Sequence, residues 1–156
     1  MTLTLREVVF EDVEYFFNFM QDEHQLKQAA FTPKDPKNKT AFEQHWKKII
    51  ASSETNNRTV LVDGAVVGNV GRWMMDDIPQ LTYWVGSQFC GLGYATESLR
   101  QFLEVESLRP IEARCAFDNQ ASIRVLEKNG FTLVDDDVFF SNARGIEIKE
   151  LIFRLP

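Results

Sequence analysis

Gln88, Phe89, Cys90, Gly91, Leu92 and Gly93 spell Gln-x-x-Gly-x-Gly between an apolar run and a helix-forming run. The run before it, residues 81–85, is Leu-Thr-Tyr-Trp-Val, aromatic and β-branched like a buried strand. The run after it, Tyr94, Ala95, Thr96 and onward, puts Ala95, Leu99, Phe102 and Leu103 on one helical face. A glycine-rich turn feeding a helix start is suited to a phosphate. The first amides of a helix lack intrahelical acceptors, and the helix dipole favours an anion there.

Two common phosphate loops do not match. A P-loop ends in Gly-Lys-Ser or Gly-Lys-Thr, whereas Tyr94 and Ala95 follow Gly93. The dinucleotide fingerprint needs a third glycine where Thr96 stands. An ordinary strand-to-helix turn remains an equal reading of the loop by itself.

A second constellation lies downstream. Residues 111–117 alternate Ile111, Ala113, Cys115 and Phe117 with Glu112 and Arg114, as a strand would. Asn119 and Ser122 then open a helix carrying Val125, Leu126 and Asn129, which Gly130 ends before Phe131.

Together these two segments resemble the GNAT superfamily of N-acetyltransferases, in particular the RimJ/RimL-type branch of ribosomal-protein N-terminal and polyamine acetyltransferases. The strand Tyr83-Trp84-Val85, the helix start Gly91 to Glu97, and Asn119-x-x-Ser122 with Gly130-Phe131 carry the resemblance. The strong part spans residues 81–133.

The resemblance implies acetyl-CoA as co-substrate and transfer of its acetyl group to a primary amine. The acceptor would be a protein N-terminus, a polyamine or another small amine, attacking directly in a ternary complex. The pyrophosphate would lie on the amides of Gln88, Phe89, Cys90, Gly91, Leu92, Gly93 and Tyr94, with Ala95 and Thr96 in the first helical turn. Trp84 and Val85 would bond the pantetheine arm through their backbones, as an added strand does. An amide near Val85 would serve the oxyanion. Asn119 would orient the arm as well as cap its helix.

Two positions depart from the family. Leu92 stands where many relatives carry a side-chain donor for the pyrophosphate, which predicts weaker binding. Leu126 stands where many carry a tyrosine acid. Ser122, one turn earlier, is then the catalytic candidate that would bond the departing sulfur, with simple packing as the equal alternative. An acetyl-CoA-binding module with little catalysis, acting as a sensor or partner protein, is the second reading of the chain.

No general base stands out. Glu23, His24, Asp76 and Asp77 are candidates by type alone, and Asp76 and Asp77 would attract a cationic acceptor if they faced it. Cys90 occupies a variable loop position and is not expected to act as a nucleophile.

The wider sequence must position these groups. At 156 residues, 44% hydrophobic and 26% charged, the chain reads as a single domain, residues 1–156. The net charge of −6 argues against a nucleic-acid partner. No apolar run approaches a membrane span, residues 1–6 lack a signal-peptide layout, and two cysteines make neither a metal set nor a disulfide framework. A reduced, cytoplasmic setting is the expectation. Oligomeric state is not readable.

The expected order is a strand at 3–6, a helix at 11–20, a loop at 31–38 and a helix capped by Thr40 and Glu43. Strands at 59–62 and 65–73 meet at Asp63-Gly64, and residues 74–80 read as a turn before the motif strand. The C-terminal part reads as a short strand after Phe131, the acidic run Asp135 to Asp137, a strand at 138–140, a turn at 141–145 and a last strand at 146–155. This is the order of an α/β (α+β) acyl-CoA N-acyltransferase fold: a mixed, largely antiparallel sheet with helices on both faces.

Overall fold

A computed structural model describes residues 2–156. Its elements run β1 (Leu3–Glu7), α1 (Val13–Phe19), α2 (Glu23–Ala29), α3 (Lys39–Ala51), β2 (Asn56–Val62), β3 (Ala65–Met75) and β4 (Ile78–Val85). They continue with α4 (Tyr94–Val105), β5 (Ile111–Ala116), α5 (Gln120–Lys128), β6 (Thr132–Ser141) and β7 (Ile146–Leu155). Seven strands form one sheet in the order β1-β2-β3-β4-β5-β7-β6. Every neighbouring pair is antiparallel except β4 and β5. The expected fold class is the one observed.

The sheet buries both faces. Under α4 and α5, Leu99 and Phe102 meet Val60, Val70, Leu81, Ile111, Cys115, Leu126 and Phe153. On the opposite face, Val13 and Phe16 of α1 pack on Trp46 of α3, with the Phe16 and Trp46 rings 4.9 Å apart. The short α2 closes that face further along, where Ala30 lies against Ala116 and Ile148.

Several local expectations change. α2 was not expected; Asp22 starts it by accepting the Gln25 N–H at 2.9 Å. Asn38, not Thr40, caps α3, accepting the Ala41 N–H at 3.0 Å. The 74–80 segment is no long turn: β3 and β4 continue into it and reverse over Asp76 and Asp77 alone. Both have positive φ, 50° and 65°, as a two-residue hairpin turn requires. The two expected strands after Phe131 are one, β6, whose register shifts between Leu133 and Asp135. Among the described residues no helix is long and apolar enough to cross a membrane.

A buried carboxylate ties the first elements together. Asp12 is 3% exposed and accepts two bonds from Arg6, at 2.7 and 2.8 Å. It also takes the Thr59 hydroxyl at 2.6 Å and the Val9 N–H at 3.0 Å. Burial alone would raise its pKa, but these donors outweigh burial and hold it below the usual carboxylate range.

A depressed folded-state pKa gives stability that is present above the ordinary carboxylate pKa, about 3.9, and lost as the pH falls through the folded value. Asp12→Asn should therefore destabilise the fold by about 2 kcal/mol or more at pH 7. The difference from the natural chain should shrink as urea titrations are repeated below about pH 4. An equal deficit at pH 7 and pH 3 would show that the charge of Asp12 is not what matters.

Candidate active site

β4 and β5 pair in only two places, Gln80 with Glu112 and Leu81 with Ala113. Beyond Leu81 the strands part. The register of the β3–β4 ladder says which backbone groups face the opening. The Gly86 N–H donates to the Val67 carbonyl at 2.9 Å. Alternation then turns the groups of Trp84 toward Asn69, its β3 partner, and those of Tyr83 and Val85 toward the gap. The backbone pair expected at Trp84 and Val85 is thus shifted to Tyr83 and Val85. Trp84 instead anchors α1, its indole N–H reaching the Phe19 carbonyl at 3.3 Å.

The glycine-rich loop sits at the end of β4, beside the gap. A short 3-10 turn, Ser87–Phe89, carries Gln88 and Phe89, and the Phe89 ring stands edge-on to Phe19 at 6.0 Å. Gly91 and Gly93 have φ of 79° and 81°, a conformation costly for other residues. Gly93 is the N-cap of α4 and offers no capping side chain. The Ala95 and Thr96 amides, which such a side chain would claim, are left for an external acceptor. Leu92 projects outward, 57% exposed, and supplies no donor. The Cys90 thiol leans on the Val85 and Gly86 carbonyls, and partial burial pushes its pKa up, which keeps it a thiol.

Side chains from both strands and α5 meet at the gap. The Tyr83 hydroxyl and Ser122 Oγ share a hydrogen bond of 2.5 Å. Burial raises the Tyr83 pKa to about 12, against the smaller opposing effect of Ser122. Cys115 lies in the same cluster, and burial pushes its thiol to about 12. Asn119 caps α5, accepting the Ser122 N–H at 3.2 Å, so its side-chain oxygen is already engaged. Leu126 is fully buried in the core under α5 and does not border the gap. Asn129 links α5 to the first turn of α4 by donating to the Thr96 carbonyl at 3.2 Å.

Gln25 of α2 also reaches the gap, and nothing in the sequence pattern singled it out. Its Nε2 donates to the Val85 carbonyl at 2.8 Å, while its Oε1 is buried without a partner. Of the other candidate bases, two share α2 with Gln25 and two lie beyond the far end of β4. Glu23 and His24 are exposed on α2. Asp76 and Asp77 sit at the opposite end of β4 from the loop, about 25 Å away for eight strand residues. They cannot line the same pocket. Among the described residues no group of three metal-binding side chains occurs.

Comparison with known proteins agrees with this geometry. A family model described as an acetyltransferase (GNAT) domain matches residues 2–132. A microcin self-immunity acetyltransferase, MccE, solved with acetyl-CoA and AMP, superposes with a TM-score of 0.82 at 16% identity, covering 98% of this chain and 91% of its own. RimL, a ribosomal alpha-N-protein acetyltransferase solved with coenzyme A, gives 0.82 at 19% identity, covering 97% and 93%. Spermidine N-acetyltransferase from Vibrio cholerae, solved with CoA and spermine, gives 0.80 at 19%, covering 97% and 95%. At these identities the structures speak for the fold alone. A search of curated proteins found no match.

The loop makes a prediction of its own. A Cβ built on Gly93 meets no atom within 4 Å, so Gly93→Ala carries no clash, only the cost of a left-handed backbone. It should lower stability in urea by about 1 kcal/mol with an unchanged circular dichroism spectrum. No loss at all would mean that the loop relaxes out of the left-handed conformation without cost.

Proposed function

The chain belongs to the GNAT acetyltransferase family, and from that membership we propose that it transfers the acetyl group of acetyl-CoA to a primary amine by direct attack. The single observation that carries this reading is the parting of β4 and β5 immediately before a glycine-rich helix start. A thioester with a pantetheine arm needs a strand-like slot, and a pyrophosphate needs a ring of amides. The residues present fit both demands. Two backbone positions, Tyr83 and Val85, face the slot, and the uncapped start of α4 lies at its mouth.

The roles follow from the donors available. The Val85 N–H is the oxyanion donor, held in a rigid strand and not reorganised during reaction. Gln25 occupies the neighbouring Val85 carbonyl, which removes a repulsive acceptor from the reacting centre. Ser122 and Tyr83 together present hydroxyl hydrogen to the departing sulfur. They act as hydrogen-bond donors, not as an acid. A phenol at about 12 would give its proton to a thiolate of ordinary basicity, about 8.5, at a cost of about 5 kcal/mol.

The acceptor is a primary amine, for which a protein N-terminal amine and a polyamine are the two leading classes. The related structures named above act on both kinds. The Asp76–Asp77 turn does not contribute to that choice, being remote from the slot.

Two measurements test this reading. Calorimetric titration with acetyl-CoA should give saturable binding. Thiol release should then appear with at least one member of a panel of N-terminal peptides, spermidine and amino sugars. Binding without release from any amine would instead favour an acetyl-CoA-binding module. Tyr83→Phe and Ser122→Ala should each lower kcat by about tenfold to a hundredfold, with acetyl-CoA affinity changed far less. Unaltered kcat in both variants would make the hydroxyl pair a packing feature.

A further inference from the structure

An amine at neutral pH is mostly ammonium, with an ordinary pKa of about 10.4, and must lose a proton before it can attack. Four carboxylates are buried among the described residues: Asp12, Glu106, Glu112 and Glu150. Three are fully engaged. Asp12 has Arg6, Thr59 and Val9. Glu106 takes Arg72 at 2.7 Å together with Asn56 and the Leu108 N–H. Glu112 takes Arg154 at 2.7 Å together with Gln80. All three are held below the ordinary range despite burial.

Glu150 differs. Its one ion pair is a long contact to Arg114 Nη1, 3.3 Å, and the Nε of that arginine is buried without a partner. Burial dominates and pushes its pKa up, with Arg114 opposing and Asp137 assisting. Its place is also different. Glu112 lies at the closed end of the β4–β5 pair, where Gln80 is its partner. Glu150 pairs in register with Ala116, the last residue of β5, past the point where β4 has left. Paired residues on antiparallel strands point to the same face, so Glu150 shares the face of Ala116 and Ile148, on which the end of α2 rests. That is the face from which Gln25 enters the gap.

We propose that Glu150 is the proton acceptor for the attacking amine, an assignment that rests on the acetyltransferase reading above. One ammonium proton passes to the Glu150 carboxylate and from there to solvent. The freed lone pair forms the C–N bond to the acetyl carbon and the C–S bond breaks. The second N–H proton ends on the departing thiolate. The charged neighbours of Glu150 are Arg114 from β5 and Asp137 from β6. On α2, after β5 and in the β6–β7 turn, His24, Lys27, Asp118 and Arg144 line one hollow, where Arg144 pairs with Asp118 at 2.8 Å.

The test is a pH profile of thiol release between pH 4 and 9, using the best amine of the panel at saturation. The wild type should lose kcat on acidification through an apparent pKa above that of an ordinary glutamate, about 4.3, because a raised carboxyl protonates earlier. Glu150→Gln should lower kcat at least a hundredfold and abolish that acidic limb, while calorimetry shows acetyl-CoA binding unchanged. Glu150→Asp should recover part of the rate. A Glu150→Gln enzyme within threefold of wild type, or one that keeps the limb, overturns the assignment and leaves the acetyltransferase reading standing. So does a wild-type profile whose acidic limb falls no higher than the ordinary glutamate value, about 4.3, whether or not the variants fold. A wild type that binds acetyl-CoA but releases no thiol with any amine overturns both.

Discussion

The two central strands share only two register pairs before they separate, although each is paired along its full length on its other side. A buried backbone group without a partner costs free energy comparable to a lost hydrogen bond, so a sheet does not open at its centre without compensation. Here the complete outer ladders prevent the strands from sliding back together. The Tyr83–Ser122 bond bridges β4 to α5 on one side, and Gln25 caps the Val85 carbonyl from the other. The opening is therefore a built feature. It leaves backbone donors facing a slot whose mouth is an uncapped helix start, and the choice of chemistry follows from that pairing.

The buried charge of the sheet is organised around the same break. Three buried carboxylates are saturated with donors and tie elements together: Asp12 joins β1 to β2, Glu106 joins the end of α4 to β2 and β3, and Glu112 joins β4, β5 and β7 at the closed end of the break. Such groups stay ionised because removing a proton acceptor from so many donors would strand them. Glu150, whose register position lies past the end of the β4–β5 ladder, has one loose partner and its pKa is raised instead. What sets Glu150 apart from the other three buried carboxylates is its donor count.

Much of the core machinery was legible in the sequence because it depends on glycine and on strong apolar strands. Gly91, Gly93 and Gly130 all have positive φ, which few other residues tolerate, and the adjoining strands have few ways to pack. The elements that the sequence does not announce have weak local signals. α2 buries only Leu26 within its length, so no apolar periodicity announces it, and Gln25 lies on it. The β3–β4 turn uses Asp-Asp where Asn-Gly is the recognisable form. β6 is an edge strand exposed along nearly its whole length, and its acidic run reads as a loop because alternation has no buried face to report. Glu150 follows Lys149 directly and falls in phase with Ile146 and Ile148, which marks the face it shares but not its place along the sheet. Only three-dimensional pairing tells that it lies past the end of the β4–β5 ladder.

Register, which sequence pattern leaves open by one residue, also decides what becomes of the missing tyrosine at position 126. Leu126 is fully buried under α5, so this position contributes core packing and has no access to the slot. The hydroxyls at the opening are those of Tyr83 on β4 and Ser122, one helical turn before Leu126. A single-residue slip of β4 would turn Tyr83 to the α1 face and Trp84 to the Ser122 face, placing an indole where the phenol now stands. The β3–β4 hairpin prevents that slip: Asp76 and Asp77 fix its two-residue turn, and Met75 pairs directly with Ile78. The Asp76–Asp77 turn therefore acts on the site from its far end, by setting the register that brings Tyr83 to Ser122.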